Sequence, residues 1–185
     1  LRGAGRRATT YALRVAEYNR QITESQTKLE VIRQLAAADR AYWRLYAAQR
    51  ALDVRAQQLD LSRAQLDSAG RRLNAGQGPE VDVVRSESGV ADRVEGLLVA
   101  QNEVLLRQRE LKRLANIPGL DVDTSSRVVP TSDPDPIRYL FEPAELEELA
   151  LNNRMEMLEL EIRLAADAAE VAFEKNQALP LLALE

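Results

Sequence analysis

The sequence predicts an all-α protein built on a long antiparallel helical hairpin with coiled-coil-like packing. In one run, leucine recurs every seven residues, at Leu45, Leu52, Leu59, Leu66 and Leu73. A second run keeps the same spacing, at Val83, Val90, Leu97, Val104 and Leu111. A strict seven-residue repeat keeps one row facing a partner helix, and the short polar segment 75–79 between the runs places the two helices antiparallel. These ten residues are the expected hairpin seam.

Composition narrows the class of protein. Hydrophobic residues make up 45% of the 185 residues but aromatic residues only 4%, so alanine and leucine supply most of the apolar content. That balance suits slender helical packing better than a thick core. The lack of cysteine and histidine excludes disulfides, cysteine metal sites and imidazole catalysis. Because the sequence starts at Leu1 without a signal-peptide pattern, we expect an excised or processed segment.

Charge is divided between the two parts of the chain. Residues 1–74 hold 14 Lys and Arg against 7 Asp and Glu, a net +7, whereas residues 75–185 hold 11 against 22, a net −11. We interpret this as two solvated parts that complement each other. Nucleic acid is not an expected partner, because the basic residues are spread singly along a helix without interleaved aromatics and the total charge is −4.

The first helix is expected to be unusually long. Residues 1–7 are too rich in glycine for a helix interior, so it should begin at about Ala8 or Thr9. No proline interrupts the chain from there to Asn74, and Gly70 is the only glycine. At 1.5 Å per residue, about 66 residues give a helix of roughly 100 Å. That length predicts a spanning or spacing role.

The turn between the helices is the candidate functional site. Gly76 is available for a left-handed cap after the first helix, and Pro79 fits the first turn of the second helix, which should run to about Asn116. We interpret Gly76 and Gly78 as turn geometry rather than ligand contacts. The tip residues around this turn are Arg71, Arg72, Asn74, Gly76, Gln77, Glu80 and Asp82.

Two glycines and an aromatic patch lie elsewhere in the hairpin. Gly89 and Gly96 are one heptad apart, which predicts a face in close contact with another helix. The cluster Tyr42, Trp43 and Tyr46 is interpreted as a set of packing anchors rather than a substrate site.

Beyond the hairpin, the chain changes character. Four prolines and four aspartates mark residues 117–141 as an irregular connector, with 127–129 as a candidate short strand. A short helix then begins with Pro143 at its first position, is interrupted at 152–153, and is followed by a helix to about Ala178. The predicted organisation is a hairpin at 1–116 with its tip at 75–80, a connector at 117–141, helices at 142–178 and a strand lead-in at 179–185.

Catalysis is not expected. Glu147 and Glu148 point to different faces of a helix, and no acidic pair lies in an apolar context that would shift a pKa for acid–base chemistry. The aspartates of the connector lack the ligand spacing of an EF-hand. The sequence therefore predicts no catalytic residues, no metal site and no cofactor.

The order of these elements resembles the outer-membrane efflux protein family, the TolC-type exit ducts of Gram-negative bacteria. Residues 1–6 resemble the return from the membrane β-barrel into the long periplasmic helix, and 41–45 resemble its mid-helix aromatic patch. Residues 72–76 followed by 81–84 are similar to the tip motif, in which a glycine precedes an Asp-Val pair. Residues 153–157 resemble the start of the family's second repeat, with Met155 where the family has proline, and 178–180 resemble the exit into further barrel strands.

The resemblance implies the periplasmic α-barrel segment of a passive efflux channel. It implies a homotrimer whose hairpins pack side by side, a β-barrel in the outer membrane, an inner-membrane pump that supplies energy, and a periplasmic adaptor that docks at the hairpin tips. It also implies that polar bonds at the tip hold the pore shut, with Asp82 at the position of the family's gate-region aspartate.

The sequence is also compatible with two other classes of protein. A periplasmic adaptor hairpin uses similar heptads, but it should be flanked by β-rich halves rather than by proline-rich and helical segments. A generic coiled-coil scaffold of the cytoplasm would need neither the tip motif nor the restart at 153–157. An encoding gene with a signal peptide and amphipathic strands on both sides would favour the duct over both.

Overall fold

The computed structural model describes residues 2–3, 5–136, 138 and 140–180, and all regular secondary structure in them is helical. The helices are α1 (Arg6–Thr9), α2 (Tyr11–Asn74), α3 (Glu80–Ala115), α4 (Pro143–Asn153) and α5 (Met155–Gln177). The all-α prediction is confirmed. The candidate strand at 127–129 is wrong, because these residues form no strand. Of the predicted strand lead-in at 179–185, positions 181–185 lie outside the described residues.

The chain divides into two compact units. The hairpin unit is Leu35–Pro134, and the terminal unit combines Leu1–Gln34 with Asp135–Glu185. The predicted domain boundary at residue 116 falls inside the hairpin unit, because the connector packs on the helices that precede it. Helix α2 contributes residues to both units.

In the hairpin unit, α2 and α3 pack as an antiparallel pair. Arg44 on α2 reaches Glu110 near the end of α3, at 3.4 Å, whereas Ser62, farther along α2, lies against Gly89 near the start of α3. The seam residues occupy the interface. Leu45, Leu59 and Val104 are buried, and the seven others are half-buried.

The connector lies along this pair and completes a small core. Its residues bond to both helices: Lys112 Nζ donates to the Thr124 carbonyl at 2.8 Å, and Gln49 Nε2 donates to the Val128 carbonyl at 3.0 Å. Buried positions concentrate beside it, at Ala41, Leu45, Val104, Gln108 and Lys112. Two packed helices bury only one face of each partner. The connector adds a third layer, and the most enclosed part of this unit lies where it packs on both helices.

In the terminal unit, the first part of α2 packs antiparallel against α5. Tyr11 stacks on Phe173 with ring centroids 4.1 Å apart, and Gln26 Nε2 donates to Glu159 Oε1 at 2.9 Å. Of the two heptad series on α5, one faces α2: Met155 and Ile162 are half-buried and Ala169 is buried. The other series, which includes Leu158, is mostly exposed.

The break between α4 and α5 falls at Arg154, one residue after the predicted interruption. Pro143 begins α4 as predicted. Arg154 adopts an extended backbone with φ −75° and ψ 128°, so it ends α4 and caps α5. Asn153 still belongs to α4, where its side-chain amide donates to the Leu149 carbonyl. Within the described residues, none of the helices combines the length and apolar composition required to cross a membrane.

Replacing Leu59 with alanine tests the seam. Leu59 is 4% exposed, whereas Leu61 on the same helix is 63% exposed. Leu59→Ala should lower the free energy of unfolding of the isolated chain by about 2–5 kcal/mol, because it leaves a cavity between the helices. The matched Leu61→Ala should change it by less than about 0.5 kcal/mol. Chemical denaturation measures both, and equal losses would contradict the seam.

Candidate functional site at the hairpin tip

The first half of the tip is a rigid helix-ending turn. Gly76 has a left-handed backbone with φ +70°. Its N–H donates to the Leu73 carbonyl at 2.9 Å, and the Gln77 N–H donates to the Arg72 carbonyl at 2.8 Å. These two bonds define a Schellman motif, which satisfies carbonyls that the helix end leaves free. The predicted left-handed cap at Gly76 is confirmed.

The second half of the tip starts α3. Pro79 was predicted in the first turn of α3, but it occupies the N-cap, with ψ 150°, and Glu80 is the first helical residue. The extended backbone of Pro79 redirects the chain, and its carbonyl accepts the first bond, from the Asp82 N–H at 3.1 Å. Glu80 and Asp82 lie in the first turn as predicted, where negative charge is favoured by the free N–H groups of the helix start.

The turn therefore brings the predicted tip residues together at one end of the hairpin. Six of them are exposed and Asp82 is half-buried. Arg71 pairs with Asp67 one turn earlier on α2. Within the described part of the chain, the side chains of five tip residues make no hydrogen bond or ion pair: Arg72, Asn74, Gln77, Glu80 and Asp82. The tip thus presents cationic, anionic and amide groups on a fixed backbone without internal partners.

Asp82 differs from its neighbours because of its place on the helix. It precedes Gly89 and Gly96 at seven-residue steps, and that face of α3 lies against α2. Its carbonyl accepts a hydrogen bond from Ser86 Oγ at 2.7 Å. Asp82 therefore lies beside the seam at the positive end of α3, where its half-buried carboxylate stabilises the helix.

The two glycines of this face contact α2. A Cβ on Gly89 would lie 3.7 Å from Ser62 Oγ, and one on Gly96 would lie 4.0 Å from Arg55 Cδ. Both are ordinary van der Waals distances. The predicted helix contact is present, but its spacing would also admit a methyl group.

Sequence reasoning missed an ionic network near the opposite end of α3. Arg107 pairs with Glu103 at 2.6 Å and with Glu110 at 3.0 Å, and Glu110 also meets Arg44 across the hairpin. The hydrogen bond from Arg107 is the main cause that lowers the pKa of Glu110 below its ordinary value. The pairs within α3 could have been predicted, because Glu103 and Glu110 lie four and three residues from Arg107. The pairing of Glu110 with Arg44 could not, because it depends on the register of the two helices.

The aromatic patch packs as interpreted. Trp43 makes edge contacts with Tyr42 and Tyr46, with ring centroids 5.3 Å and 5.6 Å apart. The Tyr42 hydroxyl accepts a hydrogen bond from the Ser132 N–H at 3.1 Å, and hydrogen bonding at Ser132 lowers the pKa of the phenol. These rings therefore anchor the connector on α2.

Among the described residues, no group of three or more acidic side chains is arranged to hold a metal ion. No protein-family model, no curated protein and no solved structure matches this chain. The function is therefore argued from the sequence resemblance and from the geometry of the hairpin.

A pair of glycine substitutions tests the rigidity of the tip. Gly76→Ala should lower the free energy of unfolding by about 1–2 kcal/mol, because alanine is strained in the left-handed backbone. Gly70→Ala should raise it by about 0.5–1 kcal/mol, since this glycine lies within α2 with no atom near its missing Cβ. Thermal unfolding followed by circular dichroism compares the two, and stabilisation by Gly76→Ala would contradict the cap.

Proposed function

We propose that this chain is the periplasmic helical segment of a TolC-type outer-membrane efflux channel. It forms part of a passive exit duct for small molecules in a tripartite export system. Its hairpin tip docks a periplasmic adaptor, and an inner-membrane pump drives export. One observation carries the proposal: each hairpin helix exposes two aliphatic side chains, one heptad apart, opposite the seam, and we call these four residues the second row.

This second row lies two positions after the seam residues. On α2 it contains Val54 and Leu61, which are 50% and 63% exposed, and on α3 it contains Val99 and Leu106, which are 63% and 57% exposed. Two residues correspond to about 200° around a helix, so the row faces away from the hairpin partner. Helices with two nearly opposite apolar faces suit a closed ring, in which every helix contacts a neighbour on each side.

The tip supports the docking part of the proposal. Its Schellman turn fixes the backbone, so a partner that binds there loses little entropy in ordering the loop. Arg72, Asn74, Gln77 and Glu80 are exposed, and their side chains have no partner within the described residues, which leaves their hydrogen-bonding groups free for an adaptor or for a neighbouring tip.

The terminal unit supports the resemblance of residues 153–157 to the start of the family's second repeat. The extended backbone of Arg154 is the conformation that a proline at position 155 would impose on its preceding residue. This chain has Met155 there and still breaks the helix. This restart, followed by the packing of α5 against α2, supports the proposal that a second helical repeat begins at α5.

Lysine substitutions test the second row in the full-length channel. Leu61→Lys combined with Val99→Lys should abolish the trimer, because a ring would have to bury two unpaired ammonium groups per subunit. The trimer is measured by native mass spectrometry, and export by resistance to a pump substrate.

The matched control uses exposed aliphatic residues outside that row. Val84 and Leu98 are 56% and 54% exposed and lie one position after seam residues. Their double lysine variant should retain the trimer and the resistance. A trimer that survives the change at Leu61 and Val99 would contradict the proposal, as would a gene that encodes no β-barrel strands.

Asp82→Ala tests the tip. In the full-length channel it should weaken tip closure or adaptor docking, seen as increased ion conductance or lost drug resistance. Glu87→Ala is the control, because it removes the same kind of charge from an exposed position of α3 outside the tip residues. Unchanged conductance and resistance in Asp82→Ala, or equal effects of both changes, would reduce Asp82 to a helix-stabilising residue.

A further inference from the structure

A cleft between α3 and the connector is lined mainly by polar side chains. Its volume is about 170 Å³, far more than the roughly 10–15 Å³ that holds one water molecule. Its lining consists of the connector segment 122–126 and of four residues from α3: Leu105, Gln108, Arg109 and Lys112. We call this space the Lys112 cleft. All of these residues belong to the hairpin unit, so one compact part of the fold builds the cleft.

The ammonium group of Lys112 is buried without a counter-ion. Lys112 is 4% exposed, and its Nζ donates to the carbonyl and the hydroxyl of Thr124, which are both neutral. An ammonium group has three N–H donors, so one donor of Lys112 has no partner among the residues that the structure describes. No carboxylate in that part of the chain pairs with it either. A charge that has lost its hydration therefore stays uncompensated.

Gln108 is a second buried group with unused hydrogen-bonding capacity. It is 7% exposed, and its side-chain amide makes no hydrogen bond within the described residues. Buried amides normally have a partner, and the Lys112 cleft is where this one can find it, because the Gln108 side chain lines that space. Lys112 follows Gln108 by four residues, so one turn of α3 brings the amide and the ammonium to the same face.

Further donors line the outer part of the cleft. Arg109, Ser125 and Ser126 are exposed, and across the described chain their side chains have no hydrogen-bond partner. Among the described lining residues, Asp123 is the one carboxylate; it is exposed and pairs with neither Arg109 nor Lys112. Two positive charges and one negative charge leave the lining at +1. That balance favours an anion in the cleft.

We propose that the Lys112 cleft binds a small oxyanion, either phosphate or a carboxylate. Lys112 and Gln108 supply the inner donors, and Arg109 and the two serine hydroxyls supply the outer ones. A neutral ligand leaves the ammonium uncompensated, and a metal cation is repelled by it. Because donors from α3 and from the connector meet on one ligand, the anion fixes the connector to the helix. The proposal goes beyond the channel function and does not depend on it.

Isothermal titration calorimetry of the 185-residue chain with sodium phosphate, and separately with sodium acetate, tests the cleft. Sodium chloride keeps the ionic strength constant, so that general screening does not change. One anion should bind per chain and raise the midpoint of thermal unfolding. Gln108→Met should weaken the affinity about tenfold, because it removes a donor to a charged ligand. Without added anion, this variant should unfold at the same temperature as the original chain, since the amide has no partner in the described fold.

Two arginines of α3 provide a matched control. Arg109→Gln should weaken the affinity about fivefold, whereas Arg113→Gln should change it less than about twofold, because Arg113 is equally exposed but does not line the cleft. Tighter binding of phosphate identifies a tetrahedral anion and tighter binding of acetate a carboxylate, and both support the proposal. It would be overturned if neither anion bound saturably, if Gln108→Met kept the full affinity, or if both arginine variants lost affinity equally. The lysine variants at Leu61 and Val99 test the channel separately, so the two failures are distinguishable.

Discussion

The apolar contact between α2 and α3 is the interaction on which the hairpin unit depends. With aromatics at only 4% of the chain, few side chains are large enough to fill a thick core, and the leucine and valine row must hold two long helices in register. That register determines which residues face each other: Arg44 meets Glu110, and Ser62 meets Gly89. It also determines where the chain turns, because the Schellman motif closes α2 where the row ends at Leu73.

The connector converts this pair into a unit with an enclosed core, at the cost of burying polar groups. Lys112 is 4% exposed, and a buried ammonium destabilises a fold unless its donors are satisfied. Two of its donors meet the carbonyl and hydroxyl of Thr124, whose hydroxyl in turn donates to the Asp121 carbonyl. Removal of the connector would therefore leave Lys112 without these partners, so the hairpin and connector stabilise each other.

Sequence analysis predicted the elements that depend on a repeating pattern or on the backbone preferences of single residues. The seven-residue rows located both hairpin helices, Gly76 located the cap and Pro143 located the start of α4. The connector was placed correctly as an irregular segment, but its path was not predicted, because single bonds such as Tyr42 to Ser132 leave no pattern in the sequence. The candidate strand at 127–129 is absent, because this segment bonds through Val128 to the Gln49 side chain rather than to another strand. For the site, sequence spacing predicted the turn and its polar residues, whereas the lack of side-chain partners among the described residues depends on the three-dimensional path of the chain.

The exposed aliphatic side chains opposite the seam favour contact between the hairpin and further helices. Charged residues make up 29% of the chain, so polar side chains were available for every solvent-facing position of α2 and α3. Leu61 and Val99 nevertheless occupy the faces opposite the seam, where an isolated pair of helices gains nothing from them. Aliphatic side chains at these positions lower the free energy only when another helix covers them, by about 1.5–3 kcal/mol for each side chain fully buried. The connector does not supply this cover, because its residues between Thr124 and Ser132 bond to other parts of the helices. Under the proposed function, lateral packing of hairpins supplies the missing cover, and the same closed arrangement gathers the polar tips into one ring that a partner can recognise.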